Sequence, residues 1–283
     1  MSTPTALRER IALLAELRQI VQAMKNLAYA ELQRLEHRRP ALVAARDAVL
    51  QALAALAPEA PALPASKRPA PGVDWLVIGA ERGFCGAFGA RLAQAVVERH
   101  ATEPGARIRV AGRRVAELLA GSGIAFDPLP GCAAIDELRP TLQAWIAAFD
   151  PKRELWLLAS GGAAIETRRL WPRPEENGPA PRAGGARPLS NLAPEALRAG
   201  LRRQALHLLL EAGLVTSLEQ ENHSRLAQMQ RAQEHLDELG IALRRRVARA
   251  RQAQITDELE TLMSAQDGAG APLGPRRRLA PNG

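Results

Sequence analysis

Residues 214–265 read LVTSLEQENHSRLAQMQRAQEHLDELGIALRRRVARARQAQITDELETLMSA, a stretch without proline and with Gly240 as its single glycine. Apolar side chains recur at every third or fourth position, at Leu218, Met229, Ala232, Leu236, Leu239, Leu243, Val247, Ala250, Ile255, Leu259 and Leu262. This spacing predicts an α-helix with one narrow apolar stripe. With the residues upstream, the helix is expected to cover residues 194–266. Because compact domains rarely hold so long a helix, it requires a long partner.

The N-terminal run supplies a candidate partner. Between Thr5 and Leu56 there is no glycine and one interior proline, Pro40. Its apolar stripe consists of Leu14, Leu17, Val21, Met24, Ala28 and Leu35, widened by Leu13, Ile20 and Leu27. Pro40 is expected to kink or break this helix, because proline lacks an N–H and clashes with the preceding turn. The two runs predict an antiparallel coiled coil. The alternative is a bundle of shorter helices that break at Gly213 and Gly240.

The middle of the chain carries the large rings. Every tryptophan and phenylalanine lies between residues 75 and 171, and only Tyr29 lies outside that window. Large rings dominate the cores of compact domains. Apolar runs predict strands at 74–79, 107–112 and 155–160, and helical spacing predicts helices at 92–99, 113–120 and 138–149. Strands that alternate with helices predict a mostly parallel α/β sheet, inserted between the two long helices. No strand is predicted after Ser160.

Composition shifts divide the chain into six segments. The predicted organisation is an N-terminal long helix (1–57), a Pro/Ala-rich linker (58–72), the α/β domain (73–171), a Pro/Gly-rich loop (172–193), the C-terminal long helix (194–266) and a disordered basic tail (267–283). The linker and the loop are too rich in proline, alanine and glycine to form a core.

The overall composition narrows the class of protein. The 283 residues are 47% hydrophobic and 24% charged, which excludes wholesale disorder, a collagen and a disulfide scaffold. The two cysteines, Cys85 and Cys132, are too few for a secreted framework, and no signal-peptide core or membrane-spanning run occurs, so a cytoplasmic chain is expected. The net charge of +8 suits nucleic acid, an anionic lipid surface or an acidic protein.

No stretch carries a catalytic or cofactor-binding pattern. The turn after the first strand, ERGFCGAFG at residues 81–89, could cradle a phosphate, yet it has no GxGxxG, no GxxxxGK[ST] and no lysine. A structural turn or a contact loop is the better interpretation. The histidines lack metal-ligand spacing, and the strand ending at Ser160 lacks a GxSxG elbow. Cys85 is either a thiol activated at a helix N-terminus or a buried spectator. We expect no cofactor, no metal and no catalysis by the chain alone.

Four segments carry a family resemblance. Residues 18–28 (RQIVQAMKNLA), 81–86 (ERGFCG), 217–229 (SLEQENHSRLAQM) and 250–259 (ARQAQITDEL) together resemble the gamma subunit of F-type ATP synthases, in the right order and at the right distances. The resemblance covers residues 5–265. It implies a Rossmann-like domain inserted between the two helices of an antiparallel coiled coil. It also implies a rotor shaft that passes torque between a membrane ring and a catalytic hexamer.

The resemblance also implies partners and a location. The partners are the alpha and beta subunits of the hexamer, the small epsilon subunit and the membrane c-ring, with no nucleic acid and no lipid insertion. The place is the cytoplasmic face of a bacterial inner membrane, as a peripheral subunit of a proton- or sodium-translocating complex. The run at residues 24–29 is similar to gamma subunits of the alternate, sodium-type ATPases.

Six residues match contact positions of the family. Arg251 and Gln252 match shaft residues that touch a catch loop of a beta subunit, and Met24 and Lys25 match the opposing position of the first helix. Arg82 and Cys85 belong to the turn that faces the lever of the beta subunits. The sequence departs from the family in reading Cys85-Gly86-Ala87 where a CGG turn is usual. It also departs in placing the loop at 172–188 where a final strand is usual.

Two other classes compete with this interpretation. A basic coiled-coil adaptor that binds nucleic acid would explain the charge, although not the ARQ ending or the inserted domain. Phosphate-dominated binding to DNA would fall steeply with salt, whereas a stalk subunit would co-purify with alpha, beta and ring subunits. A nucleotide-dependent Rossmann enzyme would bind ATP or NAD in a titration.

Because the turn at 81–89 lacks a phosphate loop, the isolated full chain is expected to bind no nucleotide and to hydrolyse no ATP. Calorimetry with ATP and NAD, beside a phosphate-release assay, checks this. Micromolar affinity for either nucleotide would contradict it.

Overall fold

The computed structural model describes residues 4–56, 72–150, 152–162, 164–171 and 191–269. Two long helices dominate these ranges, α1 at Pro4–Ala55 and α5 at Pro194–Ala269. Helix α5 runs without interruption through Gly213 and Gly240, so the bundle of shorter helices is excluded. Within the described residues, no helix combines the length and the apolar character that crossing a membrane requires.

Helix α1 is continuous through Pro40, so the expectation of a break there is wrong. Leu35 and Leu42, on either side of the proline, are both buried in the main core of the protein. Burying a leucine side chain stabilises by about 1.5–3 kcal/mol, and an interior proline costs about 3 kcal/mol. Packing on both sides therefore offsets the local penalty and keeps the helix intact.

The sheet of the described chain has five strands in the order β3-β2-β1-β4-β5. Their bounds are β1 Val73–Ile78, β2 Arg107–Ala111, β3 Asp127–Leu129, β4 Glu154–Ser160 and β5 Ile165–Trp171. The pairs β1–β2, β1–β4 and β2–β3 are parallel, and β4–β5 is antiparallel. The sheet is therefore mixed: three of its four strand pairs are parallel, as a mostly parallel sheet predicts, and β5 is the antiparallel exception. So short a connection as residues 161–164 can return the chain only antiparallel.

Two strands are missing from the sequence prediction for identifiable reasons. Strand β3 has three residues and includes Pro128, which removes a ladder donor. Strand β5 reads IETRRLW at the sheet edge and exposes most of its polar side chains, so it has no apolar run. The helices α2 (Phe88–Thr102), α3 (Arg113–Ala120) and α4 (Leu138–Ala148) overlap the predicted ones.

The two faces of the sheet are covered by different helices. Alternate residues of β1, such as Leu76 and Trp75, point to opposite faces, because side chains alternate along a strand. One face packs with α1, α4 and α5, in a cluster that includes Leu76, Ile78, Leu157, Trp145, Leu35, Leu210, Leu214 and Leu218. The other packs with α2 and α3, in a cluster that includes Trp75, Val77, Val110, Leu92, Val96, Val115 and Leu119. A stretch of α5 is therefore part of the domain core.

The chain divides into two units, residues 23–230 and the combination of residues 1–22 with 231–283. In the second unit Leu7 is buried, and Arg18 Nε lies 3.3 Å from Asp237 Oδ1, joining α1 to α5. Apart from residues 72 and 191–193, the predicted linker (58–72) and loop (172–193) lie outside the described residues, as does the predicted tail beyond residue 269.

Leu210→Ala is expected to lower the free energy of unfolding by about 2–5 kcal/mol, because Leu210 is fully buried between α5 and the sheet. Denaturant unfolding of the full chain, followed by tryptophan fluorescence, measures this. The matched control on the same helix is Leu262→Ala, whose side chain is 65% exposed and whose loss should cost less than about 0.5 kcal/mol. Equal effects of the two changes would contradict the packing described.

Candidate partner-contact site

The turn at residues 81–86, called here the first turn, leaves the carboxyl end of β1 and enters α2. Its backbone is left-handed at Phe84, with φ of 64°, and at Gly86, with φ of 56°. The left-handed region is rare for a residue with a side chain. Phe84 is 63% exposed, while Cys85 beside it is buried. The turn therefore presents one large apolar ring outward and holds the thiol inward.

Arg225 of α5 holds this turn from the inside. Its Nε donates to the carbonyl of Gly83 at 3.3 Å, and its Nη2 donates to Cys85 Sγ at 3.4 Å. Its Nη1 donates to Asn222 Oδ1 at 2.7 Å, and Nη2 also donates to the carboxylate of Glu221. That carboxylate in turn accepts backbone hydrogen bonds from the first turn, at residues 81 and 82. The buried ion pair of Arg225 and Glu221 thus forms hydrogen bonds with several backbone groups of the first turn.

Burial governs the titration of the groups in this cluster. Desolvation raises the pKa of the Glu221 carboxyl, and the guanidinium of Arg225 opposes the rise. Desolvation likewise raises the pKa of the Cys85 thiol to about 11, against the opposing charge of Arg225. The burial of Cys85 and the raised pKa of its thiol favour the buried spectator over the activated thiol.

Met24 and Arg82 both line a cavity of about 250 Å³ beside the first turn. Its lining consists of Met24, Leu27, Ala28, Arg82, Gly83, Phe84, Arg113 and Arg225. The wall from α1 is apolar, and the guanidinium groups of Arg82 and Arg113 stand around the cavity, while that of Arg225 is buried in its ion pair with Glu221. Lys25, half-buried on α1, does not line the cavity. The arrangement suits an apolar side chain that has a carboxylate next to it.

Arg251 and Gln252 lie in the other unit, near the end of α5, and both are exposed. The carbonyl of Gln252 accepts a hydrogen bond from Thr256 Oγ1 at 3.0 Å within the helix. Because both residues are exposed, their side chains are accessible to solvent in the chain.

Arg225, Glu221 and Phe84 are absent from the residues singled out in the sequence. The signal for the first two was available, because a glutamate and an arginine four residues apart share one face of a helix. The reach of Arg225 to Gly83, 142 residues away, was not readable, since it depends on how α5 packs. The exposure of Phe84 depends on a backbone conformation that no residue pattern predicts.

Helix α5 also covers the sheet edge where open α/β folds bind ligands. That edge lies at the carboxyl ends of β1 and β4, where the strand order reverses. There the hydroxyl of Ser217, on α5, donates to the carbonyl of Ile78 at 3.2 Å, and both residues are buried. In the described part of the chain, no three His, Cys, Asp or Glu side chains are placed to hold a metal ion.

Comparison with solved structures identifies the class of fold. A chain of the Euglena gracilis mitochondrial ATP synthase, in a structure of OSCP, F1 and c-ring, has a TM-score of 0.62 at 14% identity, over 98% of this chain and 99% of that one. A chain of the Euglena rotor gives 0.56 at 14% identity, over 89% and 98%. A chain of the Tetrahymena thermophila central stalk and c-ring gives 0.53 at 14% identity, over 75% and 99%. The fold is that of ATP synthase stalk and rotor chains.

A family profile described as ATP synthase matches residues 3–148, just over half of the sequence. The chain therefore belongs to the ATP synthase gamma-subunit family, and its role is that of a central-stalk subunit. No curated protein sequence matches the chain. Nothing in these comparisons supports a nucleic-acid adaptor.

The Cys85 thiol of the folded chain is expected to react with iodoacetamide at pH 8 about 100-fold more slowly than in the urea-unfolded chain. The reason is that a pKa of about 11 rather than 9.0 leaves roughly a hundredth of the thiolate. Peptide mass spectrometry over a time course measures both cysteines at once. Cys132, whose pKa burial raises to about 12, should be slow in the same sample. Equal rates at Cys85 in the folded and unfolded chain would contradict the buried position.

Proposed function

We propose that this chain is the rotating shaft that transmits torque between the catalytic hexamer of alpha and beta subunits and the membrane c-ring. The observation that carries the proposal is the continuity of α5 from the core of the sheet domain to an exposed end. A helix whose upstream part is locked in a core can pass a twist along its own axis to its far part. The family membership supplies the complex in which such a twist is used.

The shaft in this proposal is an antiparallel coiled coil of α1 and α5. Supporting it is the ion pair from Arg18 to Asp237. Supporting it as well are the half-buried stripe residues Leu14, Val21, Leu236 and Leu243, whereas Leu17 and Leu239 of the same stripes are exposed. Exposed ion pairs contribute little, at about 0–1 kcal/mol, so the apolar stripe carries the association. The segment boundaries proposed from the sequence, 1–57 and 194–266 for the two helices, belong to this arrangement.

The far end of α5 is proposed to turn inside the alpha–beta hexamer. Ile255, Leu259, Leu262 and Met263 are each between 48% and 66% exposed there. A cluster of exposed arginines precedes them, at Arg244, Arg245, Arg246, Arg249 and Arg251. The apolar end of α5 suits a smooth inner surface of the hexamer, and the cationic band suits acidic or carbonyl-rich loops. Arg251 and Gln252 are the residues proposed to meet a catch loop of a beta subunit.

The first turn is proposed to face the lever of a beta subunit. Supporting this are the exposed ring of Phe84, the apolar wall with Met24, and the guanidinium groups of Arg82 and Arg113 around the same cavity. An acidic lever with an apolar side chain complements such a surface. Lys25 is proposed to join it from α1. Cys85, being buried, contributes to the turn from within rather than by direct contact.

The remaining partners and the location are proposed from the family resemblance. They are the epsilon subunit, contact with the c-ring at the globular end, and the cytoplasmic face of a bacterial inner membrane. The chain itself is proposed to be a non-catalytic, peripheral subunit that holds no cofactor. Co-purification of alpha, beta, epsilon and ring subunits with the tagged full chain tests this set directly.

Arg251→Ala combined with Gln252→Ala is expected to lower ATP turnover by the assembled complex at least several-fold. An arginine hydrogen bond to a carboxylate or carbonyl contributes about 1.5–3 kcal/mol, which favours one rotational position over its neighbours. Thermal melting of the subunit should barely change, because both side chains are exposed. Turnover of the purified complex and melting of the subunit are the two measurements.

The chain offers a matched control in Arg203 and Gln204, another exposed Arg-Gln pair on the same helix. Changing both to alanine removes the same groups far from the end of α5, and should leave turnover at the level of the unmodified complex. Normal turnover in the Arg251/Gln252 variant, or equal losses in both pairs, would count against the contact role.

A further inference from the structure

The first turn has a strained backbone, and the hydrogen bonds within the turn are too weak to hold it. Phe84 and Gly86 both take left-handed backbone conformations, and Phe84 carries a bulky side chain in that conformation. Such a conformation persists only where surrounding groups hold it. The thiol of Cys85 donates to the carbonyls of Arg82 at 3.5 Å and Gly83 at 3.4 Å, which are weak, local bonds. The stronger groups come from α5.

We propose that Glu221 and Arg225 of α5, called here the clamp, fix the shape of the first turn so that Phe84 and Arg82 are its partner-contacting side chains. The role of Phe84 and Arg82 as partner contacts rests on the proposed function, whereas the clamp rests on the structure alone. It makes Arg225 a positioning residue, because it acts through the turn. It assigns Phe84 as a contact residue.

The geometry supports the clamp in three ways. Arg225 and Glu221 are 5% and 2% exposed, so neither is available for a partner. Their four-residue spacing places both on one face of α5, where Arg225 reaches the Gly83 carbonyl while Glu221 receives backbone N–H groups of residues 81 and 82. Arg225 therefore binds an acceptor of the first turn, and Glu221 binds its donors. The planar guanidinium can donate in several directions at once, so it holds Glu221 and the turn together.

The placement also connects the turn to the shaft. The clamp residues belong to α5 just beyond the segment that covers the sheet, which ends near Leu218. Any displacement of this part of α5 therefore moves the first turn with it. The position of the exposed Phe84 side chain is then set by the helix and not by the loop alone.

Alkylation of Cys85 in the full chain is the test of the clamp, with Cys132 as the internal reference. Arg225→Met should raise the Cys85 rate at least tenfold and leave Cys132 unchanged. The direction of the change is diagnostic. The charge of Arg225 lowers the pKa of the thiol, so its loss from an intact turn would raise that pKa and slow the reaction. Acceleration therefore requires that the turn open.

Arg225→Met leaves Glu221 buried without its cation, and the variant could unfold. The double variant Arg225→Met with Glu221→Gln removes both charges and is expected to keep the fold, with Cys85 again at least tenfold faster. Arg225→Lys keeps the charge without the planar fork and should give an intermediate rate. Arg203→Met is the matched control, since Arg203 is exposed on the same helix, and should change neither cysteine.

The outcomes separate the clamp from the proposed function. A Cys85 rate unchanged in the double variant, with an unchanged melting temperature, overturns the clamp. So does acceleration of Cys132 to the same degree in every variant, because that reports global unfolding. Phe84→Ala should leave the Cys85 rate unchanged and lower turnover of the assembled complex severalfold. If the clamp variants expose Cys85 while turnover of their complexes and of the Phe84→Ala complex stays normal, the clamp stands and the partner contact fails.

Discussion

The burial of one stretch of α5 against the sheet is the constraint on which the larger unit depends. Leu208, Leu210, Leu214 and Leu218 of this stretch pack with Leu76 and Leu157 of the two central strands. Gly213 permits the approach, because a Cβ there would lie 2.9 Å from a methyl of Leu157. This stretch of the helix therefore covers one face of the sheet, and it fixes the position of the residues that follow within the same unit, up to residue 230.

Two ion pairs fix how α1 lies on this part of α5. Arg38 Nη2 is 2.6 Å from Glu211 Oε1, and Arg39 Nη1 is 3.0 Å from Glu219 Oε2, with both carboxylates buried. Burial raises the pKa of Glu219, while Arg39 opposes the rise. Both arginines are about half exposed or more, so the pairs themselves add little net stability. Their contribution is therefore the register of the two helices, which the apolar stripes alone define loosely.

The arginine excess has two different uses in this chain. Some guanidinium groups turn inward, as with Arg225 against Glu221 and Arg109 against Asp74 at the base of β1. Others form the exposed band from Arg244 to Arg251 near the end of α5. The number of arginines alone therefore misleads about partners, because an arginine buried against a carboxylate adds nothing to the net charge. The exposed band is one surface proposed to meet a protein partner, and Arg82 and Arg113 beside the first turn are the other.

The sequence by itself determined the two long helices, the α/β character of the middle and the family. These depend on local periodicity and on short motifs, and both can be recognised in the sequence without knowledge of the fold. It misjudged Pro40, because the buried leucines that hold α1 together depend on the fold. It also missed β5, whose strand character comes from pairing with β4 rather than from its own residues. Sequence position suggested Cys85 as a contact, yet the tertiary structure turned the thiol inward and Phe84 outward. Only packing could decide that, because Arg225 meets the first turn across 142 residues of chain.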